Sequence, residues 1–390
     1  MDFTFTEEQQ AAMETARAVF SGTQPDDVPS PALTPGAVAD DIDRPLWRKL
    51  AAADLLALTL DEQYGGAGLD PIALCLVLRE AGHVLARVPL LENSAAALTI
   101  QTHGSTELRH AVLPRTGRGE LILTTAASGR SGHDPAEQAV QAHHHPNGTW
   151  TLDGVQTTVP WAQHADRVLT PARTEAGHTV LALIPRTQDG VTLLEQISTN
   201  GEQYAELRLD AVRINHTDVI TADGAWERLR HLLTTGTCAL ALGLATRVLA
   251  MTSEYTGKRE QFGFPLATFQ AVAVQAADRY IDQQAMEATL WQAAWRLTTD
   301  HQPPTEPQDP ETGVGILPAA ADIAVAKIWA AEGVRRTVQT AQHLHGGFGA
   351  VTDYPLHRYH AWAKQLELSL GSAAAHEEAL GDLLAAHPLT

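Results

Sequence analysis

Cysteine is almost absent from this sequence: Cys75 and Cys238 are the two among 390 residues. Both lie in apolar stretches with helical spacing, which indicates buried thiols and gives no support to a disulfide or metal framework. Positive charge is also scarce, since the formal net charge is −19 at pH 7. Because nucleic acid binding requires basic patches, this composition argues against nucleic acid as a partner, although a few local arginines can still bind an anionic cofactor.

Long apolar runs are missing as well. Hydrophobic residues make up 44% of the chain, yet no run approaches the roughly 20 residues of a membrane-spanning helix. The first residues, MDFTFTEEQQ, are acidic and contain no basic, apolar signal region. We therefore expect a cytoplasmic protein without a membrane segment, long enough for two or three domains around a large core.

The pattern of the sequence changes twice along the chain, which predicts a multi-domain α+β fold. Residues 1–120 have helical spacing: TEEQ, from Thr6 to Gln9, has the form of a capping box, and a glycine-rich loop, YGGAGLDP, separates two later helices. Residues 223–390 contain four long helical stretches, the last over 356–386. Such lengths are typical of a helix bundle.

The middle part, residues 121–222, consists of short alternating segments separated by turn signals such as PNG and QDG. These predict a β domain of about seven strands, arranged as a barrel or a sandwich. Three consecutive histidines, His143, His144 and His145, precede PNG. A metal-binding tract is one interpretation of them, but the position before a hairpin turn favours a solvated loop, and we predict no metal site.

Two motifs in the C-terminal third carry a resemblance to a known family. Residues 255–278 read YTGKREQFGFPLATFQAVAVQAAD, and residues 342–363 read QHLHGGFGAVTDYPLHRYHAWA. The first is similar to the R-x-Q-F-G-x-P-x-x-x-F-Q segment of the acyl-CoA dehydrogenases, and the second to their HGG-x-G segment with a following Y-P-x-x-R. The order of a helical domain, a β domain and a four-helix bundle also resembles this family. The resemblance covers the whole chain and is weakest in the β domain.

The resemblance implies FAD as the cofactor, with both motifs reaching the FAD of a neighbouring subunit. Arg259 would pair with the pyrophosphate through charge-assisted hydrogen bonds. Gln261 would add a polar contact and Phe262 an apolar wall, while glycines would let the backbone approach the dinucleotide closely. Taken alone, the first motif is explained more simply by an exposed arginine in a turn between helices. The implied cofactor-binding residues are Arg259, Gln261, Phe262, His343, Gly346, Gly347 and Gly349.

The catalytic base of the family is missing from both of its usual positions. Family members use a glutamate to remove the α proton of an acyl-CoA, while hydride leaves the β carbon for the flavin. Where that glutamate stands before the last helix in a form like YEGT, this chain has SLGS with Leu370, and the alternative position falls at Leu233. Loss of a general base costs about 10²–10⁴-fold in rate. Glu227 and Glu367 are weak candidates for a replacement, because a solvated polar face explains each of them more simply.

Two segments of the β domain also depart from the family pattern. Where members have a segment like TEPGAGSD, this chain has TTAASGRSGHD, in which Ser131 and Asp134 would be the remnants. Where members have W-I-T-N beside the flavin ring, this chain has TTVPWAQHAD, with Trp161 displaced and Pro160 inserted. These departures weaken the expectation that the chain binds flavin through its own β domain.

One branch of the family fits these defects. Steroid-degrading acyl-CoA dehydrogenases of actinobacteria are α2β2 heterotetramers, in which one chain supplies the glutamate and the other completes the FAD site across the interface. This chain resembles the second type, which implies a homologous partner chain with the catalytic glutamate and a steroid side-chain CoA thioester as substrate. Two alternatives stay open. One is a homo-oligomeric flavoenzyme with an unusual base or a reaction of secondary metabolism, and the other is a non-enzymatic chain that binds a partner.

Overall fold

The computed structural model describes residues 4–26, 28, 34–39, 41–131, 137–299 and 317–387. The first part of the chain forms α-helices joined by short loops, as its spacing predicts. In the described residues these helices are α1 (Glu7–Phe20), α2 (Arg44–Ala52), α3 (Pro71–Val84), α4 (Leu90–His103) and α5 (Thr106–Gly117).

The starts of α1 and α3 are fixed by caps that also bind each other. The predicted capping box is confirmed: the Gln9 N–H donates to Thr6 Oγ1 at 3.2 Å, and the Thr6 N–H donates to Gln9 Oε1 at 2.9 Å. Gln9 Nε2 also donates to both carboxylate oxygens of Asp70, at 3.1 and 3.0 Å. Asp70 in turn caps α3 by accepting from the N–H of Ala73. Since an N-cap contributes about 1 kcal/mol, this linked pair stabilises both helix starts.

The middle part is a β-sheet. Its strands in the described residues are β1 (Leu123–Thr125), β2 (Val140–His144), β3 (Thr149–Pro160), β4 (Arg167–Thr174), β5 (Thr179–Pro185), β6 (Val191–Ile197), β7 (Gln203–Asn215) and β8 (Val219–Ile220). They lie in the order β6–β7–β3–β2–β4–β5–β8, and β1 pairs with β4 in parallel. Each of the seven segments predicted as strands contains one of them, and β2 is the strand that the sequence pattern did not reveal.

Strand β2 corrects the interpretation of the histidine run. His143 and His144 lie in this strand, whose alternate residues are buried, and not in a solvated loop. The predicted PNG turn does connect β2 to β3, where the His145 N–H donates to Thr149 O at 2.9 Å. His143 Nδ1 lies 2.9 Å from Glu175 Oε1. In the part of the chain that the structure describes, no three His, Cys, Asp or Glu side chains are grouped to hold a metal ion.

The last part of the chain is a helix bundle. Its described helices are α6 (Ala225–Lys258), α7 (Gln270–Thr299), α8 (Ala319–His345), α9 (Leu356–Leu368) and α10 (Ala373–Ala386), and a short hairpin of β9 (Glu260–Gln261) and β10 (Phe264–Pro265) joins α6 to α7. The fourth predicted stretch, 356–386, contains α9 and α10, with SLGS directly before the last helix as the resemblance implies. Leu370 and Gly371 have φ angles of +58° and +100°, and this left-handed backbone separates α9 from α10.

Helix α6 is the central helix of the bundle. It is long and apolar enough to cross a membrane, but 78% of its most apolar window is buried inside the protein. It packs closely on α3 because glycines stand at the contact. A Cβ on Gly82 would lie 2.2 Å from the carbonyl oxygen of Leu240, and a Cβ on Gly243 would lie 1.9 Å from that of Arg79. A side chain at either glycine would therefore push the two helices apart.

Two arginines connect the three parts of the chain. Arg87 Nε lies 2.8 Å from Glu202 Oε1 of the sheet domain, and both side chains are nearly buried. Arg358 of α9 is fully buried, donating to Asn200 O at 2.8 Å and pairing with Asp26 Oδ1 at 2.9 Å. Removing one member of such a pair leaves an uncompensated buried charge, so these contacts fix how the parts are placed.

Helices give way to strands between Gly117 and Leu123, and strands to helices between Ile220 and Ala225. We keep 1–120, 121–222 and 223–390 as the proposed division into domains.

Candidate functional site

Arg259 ends helix α6 at the protein surface. Its N–H donates to Tyr255 O at 2.8 Å, and its carbonyl accepts from the Leu266 N–H at 2.8 Å. Its neighbour Lys258 pairs with Glu254 at 2.6 Å, whereas Arg259 forms no ion pair with any described residue. The backbone of Arg259 is thus fixed while its guanidinium is exposed and available to an anion from outside the chain.

Phe262 lies at the tip of the hairpin, where Gln261 pairs with Phe264. The Phe262 side chain is 90% exposed, and its φ of +54° lies in the left-handed region that residues other than glycine rarely adopt. Its ring contacts Phe269 edge to face, with centroids 6.3 Å apart. Gln261 is also exposed, and its amide donates to the carbonyl of Glu260 at 2.8 Å. A large apolar ring held outward by a strained turn is typical of a contact surface.

The second motif forms the turn after α8. Gly346 has φ +59° and ψ −141°. A Cβ on Gly346 or Gly347 would meet no atom within 4 Å, so the backbone is open at both positions. Gly349 differs, because a Cβ there would lie 3.0 Å from that of His345 and the residue is buried. His343, on the last turn of α8, is exposed. The open backbone is therefore limited to the first two glycines.

Tyr255 brings the two motifs together. Its ring stacks on that of His345, with centroids 4.3 Å apart and an interplanar angle of 21°. His345 is buried, which lowers its pKa, and its Nε2 lies 3.2 Å from the Tyr354 hydroxyl. A neutral imidazole thus anchors the glycine turn beside the end of α6. We call this surface, residues 259–262 with 345–349, the arginine edge.

A cavity of about 470 Å³ lies where the three parts of the chain meet. Its walls come from α3, α4, α6 and α9, with residues of β1, β3 and β7 on the sheet side. Leu233 of α6 and Leu370 of the loop before α10 both line it. The two usual positions of the base therefore lie at one cavity, and neither brings a carboxylate. We call it the central cavity; of the described residues that line it, none belongs to the arginine edge.

Neither weak candidate for a replacement base lines the central cavity among the described residues. Glu227 is exposed on the first turn of α6. Glu367 pairs with Lys364 at 2.6 Å, and its carbonyl accepts from the buried Lys327 ammonium at 3.0 Å. Each carboxylate is thus directed to a structural contact or to solvent, which leaves its proposed catalytic role without geometric support.

The loop that carries Leu370 is held by hydrogen bonds to its backbone. His376 Nε2 donates to Leu370 O at 2.9 Å, and burial lowers the pKa of His376 to about 4. Lys327 donates to the carbonyls of Leu366 and Glu367 at 2.9 and 3.0 Å, and burial lowers the pKa of this amine to about 8. The backbone of this loop is therefore well fixed, although the Leu370 side chain cannot accept a proton.

Glu92 is a cavity residue that the sequence analysis missed. It lies in the first turn of α4, and it is the single carboxylic acid among the described residues that line the central cavity. Burial raises its pKa to about 7, although its carboxyl group accepts hydrogen bonds from its own N–H and from the indole of Trp161. The flanking sequence, PLLENSAAAL, places Glu92 beside Asn93 and Ser94 in a mostly apolar stretch, which gives no signal of its environment.

The two altered β-domain segments both reach the central cavity. Ser131, Pro160 and Trp161 line it, whereas Asp134 lies outside the described residues. Trp161 follows the end of β3 with a φ of +56°, and Pro160 accepts a hydrogen bond from Thr124 Oγ1 at 2.6 Å. The Trp161 indole donates to the Glu92 carboxyl group from this position.

The fold and both motifs are those of a flavin-dependent dehydrogenase. Residues 6–120 match the N-terminal domain of acyl-CoA dehydrogenases, and residues 227–384 match their C-terminal domain. The chain belongs to the acyl-CoA dehydrogenase family, whose cofactor is FAD. The predicted family, fold class and cofactor are thereby confirmed.

Relatives similar over their whole length include proteins of known structure. The acyl-CoA dehydrogenase FadE27 of Mycobacterium tuberculosis is 35% identical over 390 residues, 100% of both chains. A chain of the ChsE4-ChsE5 complex from Mycobacterium tuberculosis is 34% identical, with a TM-score of 0.86 and 100% of both chains covered. A chain of the Tcur3481-Tcur3483 steroid ACAD, solved as a variant, is 35% identical, with a TM-score of 0.84 over 97% of this chain and 98% of that one.

The arginine edge fits the diphosphate part of FAD. Arg259 offers a guanidinium without an ion-pair partner among the described residues, and Gly346 and Gly347 offer backbone that a phosphate can approach without meeting a side chain. The central cavity fits FAD less well, since the described residues that line it include no cation and one acid.

Proposed function

We propose that this chain is the non-catalytic subunit of an FAD-dependent acyl-CoA dehydrogenase that introduces an α,β double bond into a steroid side-chain CoA thioester. A homologous chain would supply the glutamate base, and two copies of each chain would form an α2β2 heterotetramer in the cytoplasm. The similar structures support this proposal because each is named as a complex of two proteins, and one of them is named a steroid ACAD.

The observation that carries the proposal is that one site of the chain keeps its binding groups while a separate site lacks the catalytic base. The arginine edge keeps open backbone and a cation without an ion-pair partner among the described residues, as needed to bind FAD. The central cavity has Leu233 and Leu370 at the positions of the base. A chain selected to use its own cavity for dehydrogenation needs a carboxylate there, whereas a chain that completes a partner's site needs the edge alone.

Within such a complex the residues of this chain bind and orient. The Arg259 guanidinium would hold the diphosphate, and the N–H groups near Gly346 and Gly347 would add neutral donors. Phe262 would cover an apolar part of the bound cofactor or of the partner and exclude water. Bound FAD supplies the acceptor for the hydride, and the partner's glutamate would remove the α proton.

Exposed apolar side chains support a partner beside the arginine edge. Besides Phe262, the side chains of Phe264 on the hairpin and of Val274, Tyr280 and Ile281 on α7 are all more than half exposed. Large exposed apolar side chains of this kind are typical of protein–protein contacts when they cluster. Cytoplasmic location is supported by Cys75 and Cys238, which are free, buried thiols.

The test is the activity of two chains, separately and together. The gene product encoded beside this chain, if it is a family member with the glutamate, is purified alone, and both are then co-expressed. The substrate is a steroid side-chain CoA thioester, and the reduction of an artificial electron acceptor is measured. We expect this reduction from the co-purified pair and from neither chain alone. Full activity from this chain alone would overturn the proposal.

A further inference from the structure

The central cavity differs chemically from the arginine edge. The described residues that line it include eight leucines, three alanines and two tryptophans beside seven serines and threonines, and Glu92 carries the single charge. No arginine, lysine or histidine of the described residues lines it. An anionic ligand would place its charge near Glu92 without a compensating cation, which is strongly unfavourable in a desolvated site. The cavity is therefore unsuited to phosphates and carboxylates.

Glu92 belongs to a strip of polar groups at the cavity, formed with Trp161, Tyr204, Gln365 and Ser369. The indole N–H of Trp161 donates to its carboxyl group. Burial is the main cause that raises the pKa of Tyr204, and the charge of Glu92 adds to this effect. The Tyr204 hydroxyl is hydrogen bonded to Gln365. Gln365 Nε2 donates to Ser369 Oγ at 3.3 Å. The other members of the strip therefore satisfy one another, while a carboxyl group with about four lone-pair sites has room for a further donor.

Trp362 adds a second polar group that needs a partner. It lines the cavity from α9, and its Nε1 is buried without a hydrogen-bond partner among the described residues. A buried N–H without an acceptor costs free energy, which an oxygen atom of a ligand would recover. Glu92 and Trp362 thus add an acceptor and a donor to a cavity that serines and threonines also line, and an acceptor and a donor are the complements of a hydroxyl group.

We propose that the central cavity is a binding site for a neutral, apolar molecule that carries a hydroxyl group, and that Glu92 recognises this hydroxyl. The cavity volume of about 470 Å³ lies within the range of small-molecule sites, roughly 300–1,000 Å³. This inference goes beyond the proposed function, because it assigns a ligand to the cavity that the proposed function leaves without chemistry. It requires neither flavin nor acyl-CoA turnover.

The test uses three probes that share one ring system. These are 2-naphthaleneethanol, 2-ethylnaphthalene, which lacks the hydroxyl, and 2-naphthaleneethanamine, which is a cation at neutral pH. Binding to the full-length chain, in its complex where one forms, is measured by naphthalene fluorescence. We expect the alcohol to bind about tenfold more tightly than the hydrocarbon, the value of one hydrogen bond to an acid.

Variants of Glu92 assign that preference to one side chain. Glu92→Gln keeps a hydrogen-bonding group and should keep the tenfold ratio within about threefold, whereas Glu92→Leu should bring the ratio near one. Thr237→Val is the matched control, because the Thr237 hydroxyl also lies at the cavity but already donates to Leu233 O at 2.8 Å. This variant should leave the ratio unchanged.

Three outcomes would overturn the proposal. In the first, the wild-type protein binds the alcohol and the hydrocarbon with equal affinity, and in the second it binds neither. In the third, the amine binds most tightly and Glu92→Gln loses this binding. The last result would make the cavity a cation site. The comparison of probes on the wild-type protein decides the question even where Glu92→Leu does not fold.

Discussion

The ring of Tyr255 lies against that of His345, with centroids 4.3 Å apart, and so joins two motifs that are 90 residues apart in sequence. Tyr255 also stacks on Phe348, at 5.6 Å and 9°. The end of α6, which carries Arg259, is thereby held beside the glycine turn after α8. The arginine edge is one surface because of this aromatic contact.

Removing the Tyr255 ring should loosen the arginine edge. We expect Tyr255→Leu to weaken FAD retention by the assembled complex about threefold to tenfold, since an aromatic pair contributes about 0.5–1.5 kcal/mol. Tyr255→Phe keeps the ring and loses a hydroxyl whose bond to His345 O is long, at 3.4 Å, so it should retain FAD as the wild type does. Flavin content after gel filtration measures both, and equal retention by Tyr255→Leu would contradict the expectation.

Arg259→Ala should reduce FAD affinity of the complex by about tenfold to a hundredfold, because a hydrogen bond to a charged group contributes about 1.5–3 kcal/mol. Lys258→Ala is the matched control. Lys258 is the adjacent exposed cation, but it pairs with Glu254 at 2.6 Å. Titration of the apo-complex with FAD measures both variants. An unchanged Kd in Arg259→Ala would remove the cofactor assignment of the edge.

Leu370→Glu alone should not produce an efficient dehydrogenase. The loop backbone is already held by His376, but the new carboxylate would share the central cavity with Glu92, and like charges in one cavity raise each other's pKa. The Trp161 side of the cavity also departs from the family pattern. We expect acyl-CoA oxidation by the lone variant to stay at background. Activity near that of a complete family member would show that the rest of the cavity is intact.

Glu92 should destabilise the folded chain at high pH. Burial raises its pKa from 4.5 to about 7, so between these values the folded chain holds more protons than the unfolded chain, and stability falls as the pH rises. The gain in unfolding free energy from Glu92→Gln should therefore grow by about 2–3 kcal/mol from pH 4 to pH 8. Urea unfolding at several pH values measures this gain. The exposed Glu227→Gln is the control, and a gain from Glu92→Gln that does not change with pH would contradict the account.

The fold was predictable from local patterns where these are strong. The cap formed by Thr6 and Gln9 and the length of α6 depend on neighbouring residues, which the sequence displays directly. Strand β2 escaped detection because it ends in two consecutive histidines before the PNG turn, which suggest a loop. The positive φ of Leu370 was not predictable, because His376 holds the backbone there through a contact that no spacing rule indicates.

The site was predictable in part, and for a physical reason. Arg259 and the glycines belong to contiguous motifs, so their chemistry can be inferred from the amino-acid sequence. Glu92 can be recognised as a cavity residue only when α3, α4, α6 and the sheet are placed in space, since the segment PLLENSAAAL does not show what Glu92 faces. Gly349 shows the reverse case: its motif suggests exposure, whereas its packing on His345 makes it part of the core.

The central claim is that this chain completes the FAD site of a partner, and the visible spectrum of the purified protein tests it most directly. The chain is purified alone and then together with the co-expressed family member that carries the glutamate. We predict flavin absorbance in the complex alone, at one FAD for each pair of unlike chains. One FAD per chain in the lone protein would contradict the account and would direct the search for a base to Glu92.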